Sequence, residues 1–400
     1  MRCVMQTRIY KAAVLGAALV SAAAWGADWE LNPSVEAGYL FDDNYRLTSP
    51  GTEIDVQGPV ADASLEMRAR MPSGEFSFTP RIRATYFPNE RDLDTTDYFA
   101  SLDWQHRGQR LESRIRGEFA QQDVINSEQP DAEVPGDADL GDADFGDAGR
   151  VLVENRRTRA SLRPTFNYEL SPRRALEFGA NFANVSFDEE IPGAQVDYRS
   201  GDLTAGLVAR LSEINSLTTR VRGARFDIDT QGDSTSYGLE LQWDRRTAAD
   251  TRAFLRAGAQ NVEFESGESN VAWLAGAGVN MPSGRNTWFA DLSRSVGPSS
   301  AGNVITRDQL RLRLTRDMTP RLALLFGVRG THDEDISDIT DFTPRSYATG
   351  DVGVQWRWAE EFSLRAGLDY TWQEFEGGAD AATSSGANVS VLYQPIQRRR

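Results

Sequence analysis

From Phe362 to Gln373 the chain alternates without a break. Phe362, Leu364, Ala366, Leu368, Tyr370 and Trp372 share one parity, and Ser363, Arg365, Gly367, Asp369, Thr371 and Gln373 the other. A period of two marks a β-strand whose faces meet different surroundings, because successive side chains point to opposite sides of a sheet. The pattern recurs from Ala348 to Trp358 and from Phe76 to Tyr86, where Pro80 alone interrupts the apolar parity. Soluble strands usually run about five or six residues, whereas these run ten or more. Ten residues inclined near 45° is roughly what a strand needs to cross the apolar core of a bilayer. Aromatic residues gather toward segment ends, as at Tyr370 with Trp372, Trp356 with Trp358, and Trp243 closing YGLELQW. That is where the girdles of a membrane barrel belong.

About eighteen such segments are predicted, near 33–42, 60–71, 75–87, 97–106, 110–122, 158–170, 174–187, 198–212, 216–229, 235–245, 250–263, 270–281, 286–296, 305–316, 321–332, 345–358, 361–374 and 385–395. Their connections alternate in length. The segments 71–75, 106–110, 170–174, 281–285, 316–321 and 358–361 are tight turns, while 43–59, 88–96, 123–157, 188–197, 297–304, 333–344 and 375–384 are longer and often acidic. The expected fold is therefore an all-β, transmembrane, antiparallel up-and-down barrel of about 18 strands, with 16 as the alternative. Short turns are periplasmic, long loops external, and both termini periplasmic. The low mean hydropathy of −0.48 fits, since only every second residue meets lipid.

At the N-terminus, Arg2, Arg8 and Lys11 precede the apolar run AAVLGAALVSAAAW and the small-residue exit Ala24-Trp25-Gly26. This is the layout of a secretory signal peptide over 1–26, leaving 27–400 as a single barrel domain. The only cysteine is Cys3, so disulfide scaffolds, cysteine zinc sites and thiol catalysis are excluded. Only two histidines exist, His106 and His332, predicted at opposite rims. They leave no plausible Ser-His-acid cluster, and neither an enzyme, a metal nor a cofactor is expected. A formal charge of −16 argues against nucleic acid as the partner.

If the apolar parity meets lipid, the other parity lines a lumen. Lys11 is the chain's only lysine, and arginine dominates that inner face: Arg68, Arg70, Arg81, Arg83, Arg114, Arg116, Arg163, Arg210, Arg220, Arg222, Arg311, Arg313, Arg329 and Arg365. Interspersed are Asp62, Glu66, Asp103, Glu112, Glu118, Glu169, Glu177, Glu240, Asp291 and Asp369. A guanidinium is planar, permanently charged and a fork of donors suited to carboxylate or phosphate. Two readings follow: a path for an anionic solute, or cross-strand braces of a wide polar interior. Arg68, Arg70, Arg81, Arg83, Arg114 and Arg116 come from nearby strands and are expected to form one basic patch, with Arg311, Arg313 and Arg365 further along the path. The loop 123–157 carries GDADLGDADFGDAG, in which Asp137, Asp142 and Asp147 keep a five-residue beat with Asp139 and Asp144 between them. It lacks the bidentate twelfth-position glutamate of a calcium loop and reads either as a solvated acidic loop or as an acidic gate at the pore mouth.

The segment VEAGYLFDDNYRLTS runs through Tyr39, Phe41, Asp42, Asp43 and Asn44. It resembles the opening of a β-barrel porin family found with exopolysaccharide gene clusters, where a Gly-Tyr strand ends in a Tyr/Phe-Asp-Asp-Asn turn. The arginine- and acid-lined layout also looks like the alginate exporter, more distantly and without a shared motif. These resemblances imply export of an exopolysaccharide, an anionic one if the arginines take part, with periplasmic export components as partners beside outer-membrane lipid and lipopolysaccharide. A general porin or solute-uptake channel is the alternative, and a structural or adhesion barrel the third reading.

Overall fold

A computed structural model describes residues 27–125, 155–191, 195–228, 232–247, 250–336, 342–378 and 380–395. The expected signal segment and the aspartates 137, 139, 142, 144 and 147 of the acidic loop lie outside the described residues. Eighteen strands follow in order: β1 (Asp28–Asp42), β2 (Val56–Met71), β3 (Gly74–Thr85), β4 (Thr95–Arg107), β5 (Leu111–Asp123), β6 (Arg156–Ser171), β7 (Arg174–Phe187), β8 (Tyr198–Arg210), β9 (Asn215–Ile228), β10 (Gly232–Arg246), β11 (Arg252–Phe264), β12 (Ser269–Ser283), β13 (Asn286–Pro298), β14 (Val304–Thr319), β15 (Leu322–Asp335), β16 (Arg345–Arg357), β17 (Phe362–Phe375) and β18 (Ala382–Tyr393). Each is antiparallel to its neighbours in sequence, and β1 pairs with β18 from Val35↔Tyr393 to Asp42↔Gly386. The sheet is thereby closed and has no free edge.

The parity read from the sequence is the parity of the wall. Val271 (74% exposed), Leu203 (61%) and Leu368 (60%) point outward with Leu312, Val328 and Val391. Soluble monomers rarely expose so many large apolar side chains on one face. Two prolines disturb the ladder, since proline has no N–H to donate. Pairing of β2 with β3 skips the Pro80 region between Ser64↔Arg81 and Met67↔Phe78, and pairing of β6 with β7 skips the Pro164 region between Leu162↔Phe182 and Thr165↔Gly179. The turn after β12 is closed by Gly284, whose φ of +60° suits glycine.

The connections depart from expectation in two ways. The β9–β10 and β11–β12 connections lie on the long-loop rim, yet they are short, spanning 229–231 and 265–268. Several long connections also turn into the barrel. Tyr45 of the segment after β1 packs edge-on against Phe87, with ring centroids 5.2 Å apart, and together with Val56, Leu93 and Ile125 forms a buried cluster. Leu47 packs with Tyr347 and Ala382.

The end of the β13–β14 hairpin also turns inward. These strands stay paired to each other up to Pro298↔Val304, but β12 and β13 part company beyond Ala275↔Arg294. Residues 295–300 are all buried, and Ser300 O accepts the Val196 N–H at 2.8 Å. Val296 and Val304 join Val185, Phe187, Phe226, Ile228 and Leu274 in an apolar cluster inside the wall. Behind the hairpin, Asn270 Nδ2 bridges to Ile336 O at 2.8 Å.

Candidate functional site: the lumen and its external mouth

The inner wall is a lattice of ion pairs. On β2 and β3, Arg68 holds Glu66 at 2.6 Å and reaches Glu75 at 3.2 Å, Arg70 holds Glu30 at 3.0 Å, and Arg81 holds Asp62 at 2.8 Å. On β5, Arg114 and Arg116 share Asp103, at 2.7 and 3.4 Å. Further round, Arg220 lies between Glu177 at 2.7 Å and Glu240 at 3.0 Å, Arg222 faces Asp202 at 3.5 Å, and Arg311 holds Asp291 at 3.0 Å. Across the closing seam Arg365 donates to Glu36 at 2.9 Å, and Ser390 bonds the other oxygen of that carboxylate.

The six arginines expected to form one basic patch are therefore interleaved with carboxylates from β1, β2, β3 and β4. The reason is geometric: inward positions of adjacent strands stand directly opposite, and acids occupy many of the facing positions. Arg163 and Arg313 are likewise engaged. Among the inward arginines named from sequence, Arg83 and Arg329 have neither an ion pair nor a hydrogen bond to another described residue.

Toward the mouth the lining changes. On β9, Arg220 and Arg222 share their parity with Ala224, Phe226 and Ile228, which are buried beneath the inward hairpin. At the hairpin's root, Arg307 and Asp333, each only 4% exposed, are joined by two bonds of 2.6 and 2.8 Å. Asp333 also stands opposite Arg345 in the β15–β16 ladder. Arg307 and Arg345, with Arg256 beside Glu240, were absent from the inner face as read from sequence. Their parity places them there, so the signal was present.

The Asp42-Asp43-Asn44 motif ties the first loop to the closing hairpin. Asp42 Oδ1 accepts the Asn44 N–H at 2.8 Å and the Ser384 hydroxyl at 2.6 Å, and Asp43 Oδ1 accepts the Ser385 N–H at 2.7 Å. Asn44 Nδ2 donates to Thr48 O and Thr383 O, each at 2.9 Å, while its Oδ1 accepts from the Thr48 N–H and hydroxyl. So anchored, the loop carries Tyr45 into the mouth. Burial pushes the Tyr45 phenol well above its ordinary range, with Arg83 offsetting part of that rise.

His106 stacks on Trp104 near the end of β4, and His332 bonds Ser346 and Glu334 on the outward side of β15, so the two stand at opposite rims as expected. Among the described residues, no group of three or more His, Cys, Asp or Glu side chains is placed to hold a metal ion.

No protein-family model and no curated protein sequence matches this chain. Solved structures of similar shape include OccK2 (OpdF) of Pseudomonas aeruginosa, crystallised with glucuronate, at 11% identity and a TM-score of 0.47, covering 92% of this chain and 99% of that one. The outer-membrane protein OpdK of the same organism matches at 12% identity and 0.45, again over 92% and 99%. The outer-membrane channel DcaP of Acinetobacter baumannii matches at 13% and 0.45, over 92% and 98%. None of these is described as a polysaccharide exporter, and the alginate-exporter likeness gains no support from them. At such identities and scores, any assignment of function has to come from this chain's own lumen.

Proposed function

We propose that this chain is an outer-membrane channel for small polar solutes, carboxylate-bearing ones among them. Its outward parity is apolar and girdled by aromatic residues, which suits a bilayer, and its lumen is lined by charge. The observation that carries the solute-channel reading is the mouth, narrowed from within by the inward β13–β14 hairpin and by the Tyr45 loop. A mouth built this way favours single small molecules over a continuously threaded polymer. Solute uptake therefore stands ahead of exopolysaccharide export, and nothing in the geometry favours a purely structural barrel.

The lumenal arginines serve two purposes in this reading. Those bonded to carboxylates brace the wall, and the aqueous path runs over the alternating charges they leave. Lipid and lipopolysaccharide surround the apolar exterior, the long-loop rim faces outward from the cell, and residues 1–26 direct export.

A strain deleted for the gene tests this reading. Uptake of small organic acids, measured with labelled substrates, is expected to fall, while secreted and capsular polymer stay at the parental amount. Loss of the polymer with unchanged uptake would return the export reading to first place.

A further inference from the structure

Arg83 lies two residues short of the external end of β3, on the inward parity and within electrostatic reach of Tyr45. In the ladder it stands opposite Asp62 of β2 and Asp97 of β4, and either would ordinarily neutralise it. Both are committed elsewhere. Asp62 is held by Arg81 at 2.8 Å. Asp97, fully buried, accepts the Asp123 N–H at 3.1 Å and faces Arg156 at 3.8 Å. The nearby Asp42 and Asp123 are likewise turned to local hydrogen bonds, from Asn44 and Ser384 and from the Ile125 N–H. Arg83 is only half-buried and stands on the inward parity below the narrowed mouth. Arg329, the other arginine of this kind, stands opposite Arg311 and is not part of the mouth.

We propose that Arg83 is the specificity-determining residue of the channel, its guanidinium fork taking the carboxylate of a small organic acid as it passes the mouth. A guanidinium already bonded to a carboxylate has its charge compensated, whereas one with no such bond to a described residue keeps its paired, charge-assisted donors for an incoming carboxylate. This inference rests on the channel reading and names its substrate group.

The test is block of potassium chloride current by citrate through the reconstituted barrel. Arg83→Gln is expected to raise the half-blocking citrate concentration about tenfold, the size of one charge-assisted hydrogen bond. Arg83→Lys keeps the charge but loses the fork, and should raise it by a smaller factor. The double change Asp202→Asn with Arg222→Gln removes a neutral pair from the wall and should leave citrate block unchanged. The proposal is overturned if Arg83→Gln blocks like the parent, or if the Asp202/Arg222 change costs as much. Should Arg83→Gln fail to insert, an unaltered Arg83→Lys overturns it alone. A parent barrel that does not conduct at all refutes the channel reading instead, an outcome distinct from a conducting barrel indifferent to Arg83.

Discussion

The β13–β14 hairpin leans into the barrel on a buried ion pair, and breaking that pair should be costly. Arg307 and Asp333 are 4% exposed each and joined by bonds of 2.6 and 2.8 Å, with the guanidinium of Arg345, itself buried among Tyr347 and Phe375, opposite the same carboxylate. Asp333→Asn retains the shape but leaves Arg307 without its counter-charge beside a second buried cation. Removing one partner of a buried pair typically costs roughly 3–5 kcal/mol, whereas replacing both by apolar groups of similar volume is often near neutral. Asp333→Asn should therefore destabilise the barrel by roughly 3–5 kcal/mol, while Arg307→Met with Asp333→Leu costs much less. Urea-dependent folding into lipid vesicles, followed by tryptophan fluorescence, measures both. A cost below about 1 kcal/mol for Asp333→Asn, the range of exposed surface pairs, would refute the buried-root reasoning.

Other expectations follow from the two faces and the mouth. Leu368→Arg places a charge on the lipid face at roughly 2–4 kcal/mol if near the midplane, and Arg365→Leu should cost less; equal costs in the same folding assay would mean the faces are reversed. Asn44→Ala removes an anchor shared by the first loop and the closing hairpin, at about 1–3 kcal/mol for the buried groups left unpaired, readable as a lowered urea midpoint. Protease added to intact cells should cut within 123–157 and spare the turns 71–75 and 281–285, and cuts at those turns in sealed cells contradict the topology. Because the Tyr45 phenol is raised in the folded barrel from an ordinary 10.0, its packing is fully present below that ordinary value and is lost only as pH rises above it. Phenolate absorbance should include a tyrosine contribution that resists ionisation at about pH 11 and is missing from Tyr45→Phe.

The strand count, their order along the chain and the lipid-facing parity were all legible, because alternation over ten or more residues admits few other structures. Boundaries were less so. β1 begins at Asp28, five residues ahead of the expected segment, and β2 begins at Val56 rather than 60, both where alternation is weak. Partners were not legible, because an ion pair such as Arg365 with Glu36 depends on the closing register between chain ends. The inward hairpin was hidden for another reason. Phe226, Ile228, Val185 and Phe187 carry apolar side chains on the lumenal parity, an apparent defect in the pattern that marks where a loop covers the wall.

Size selection by the purified barrel bears most directly on the channel reading. Vesicles containing it, placed in iso-osmotic solutions of graded solutes, report permeation as swelling. We expect rapid swelling in monosaccharides and small organic acids and a steep fall for oligosaccharides, because the hairpin and the Tyr45 loop narrow the mouth. Equal swelling in long oligosaccharides, or no swelling in any solute, would contradict a channel for small molecules.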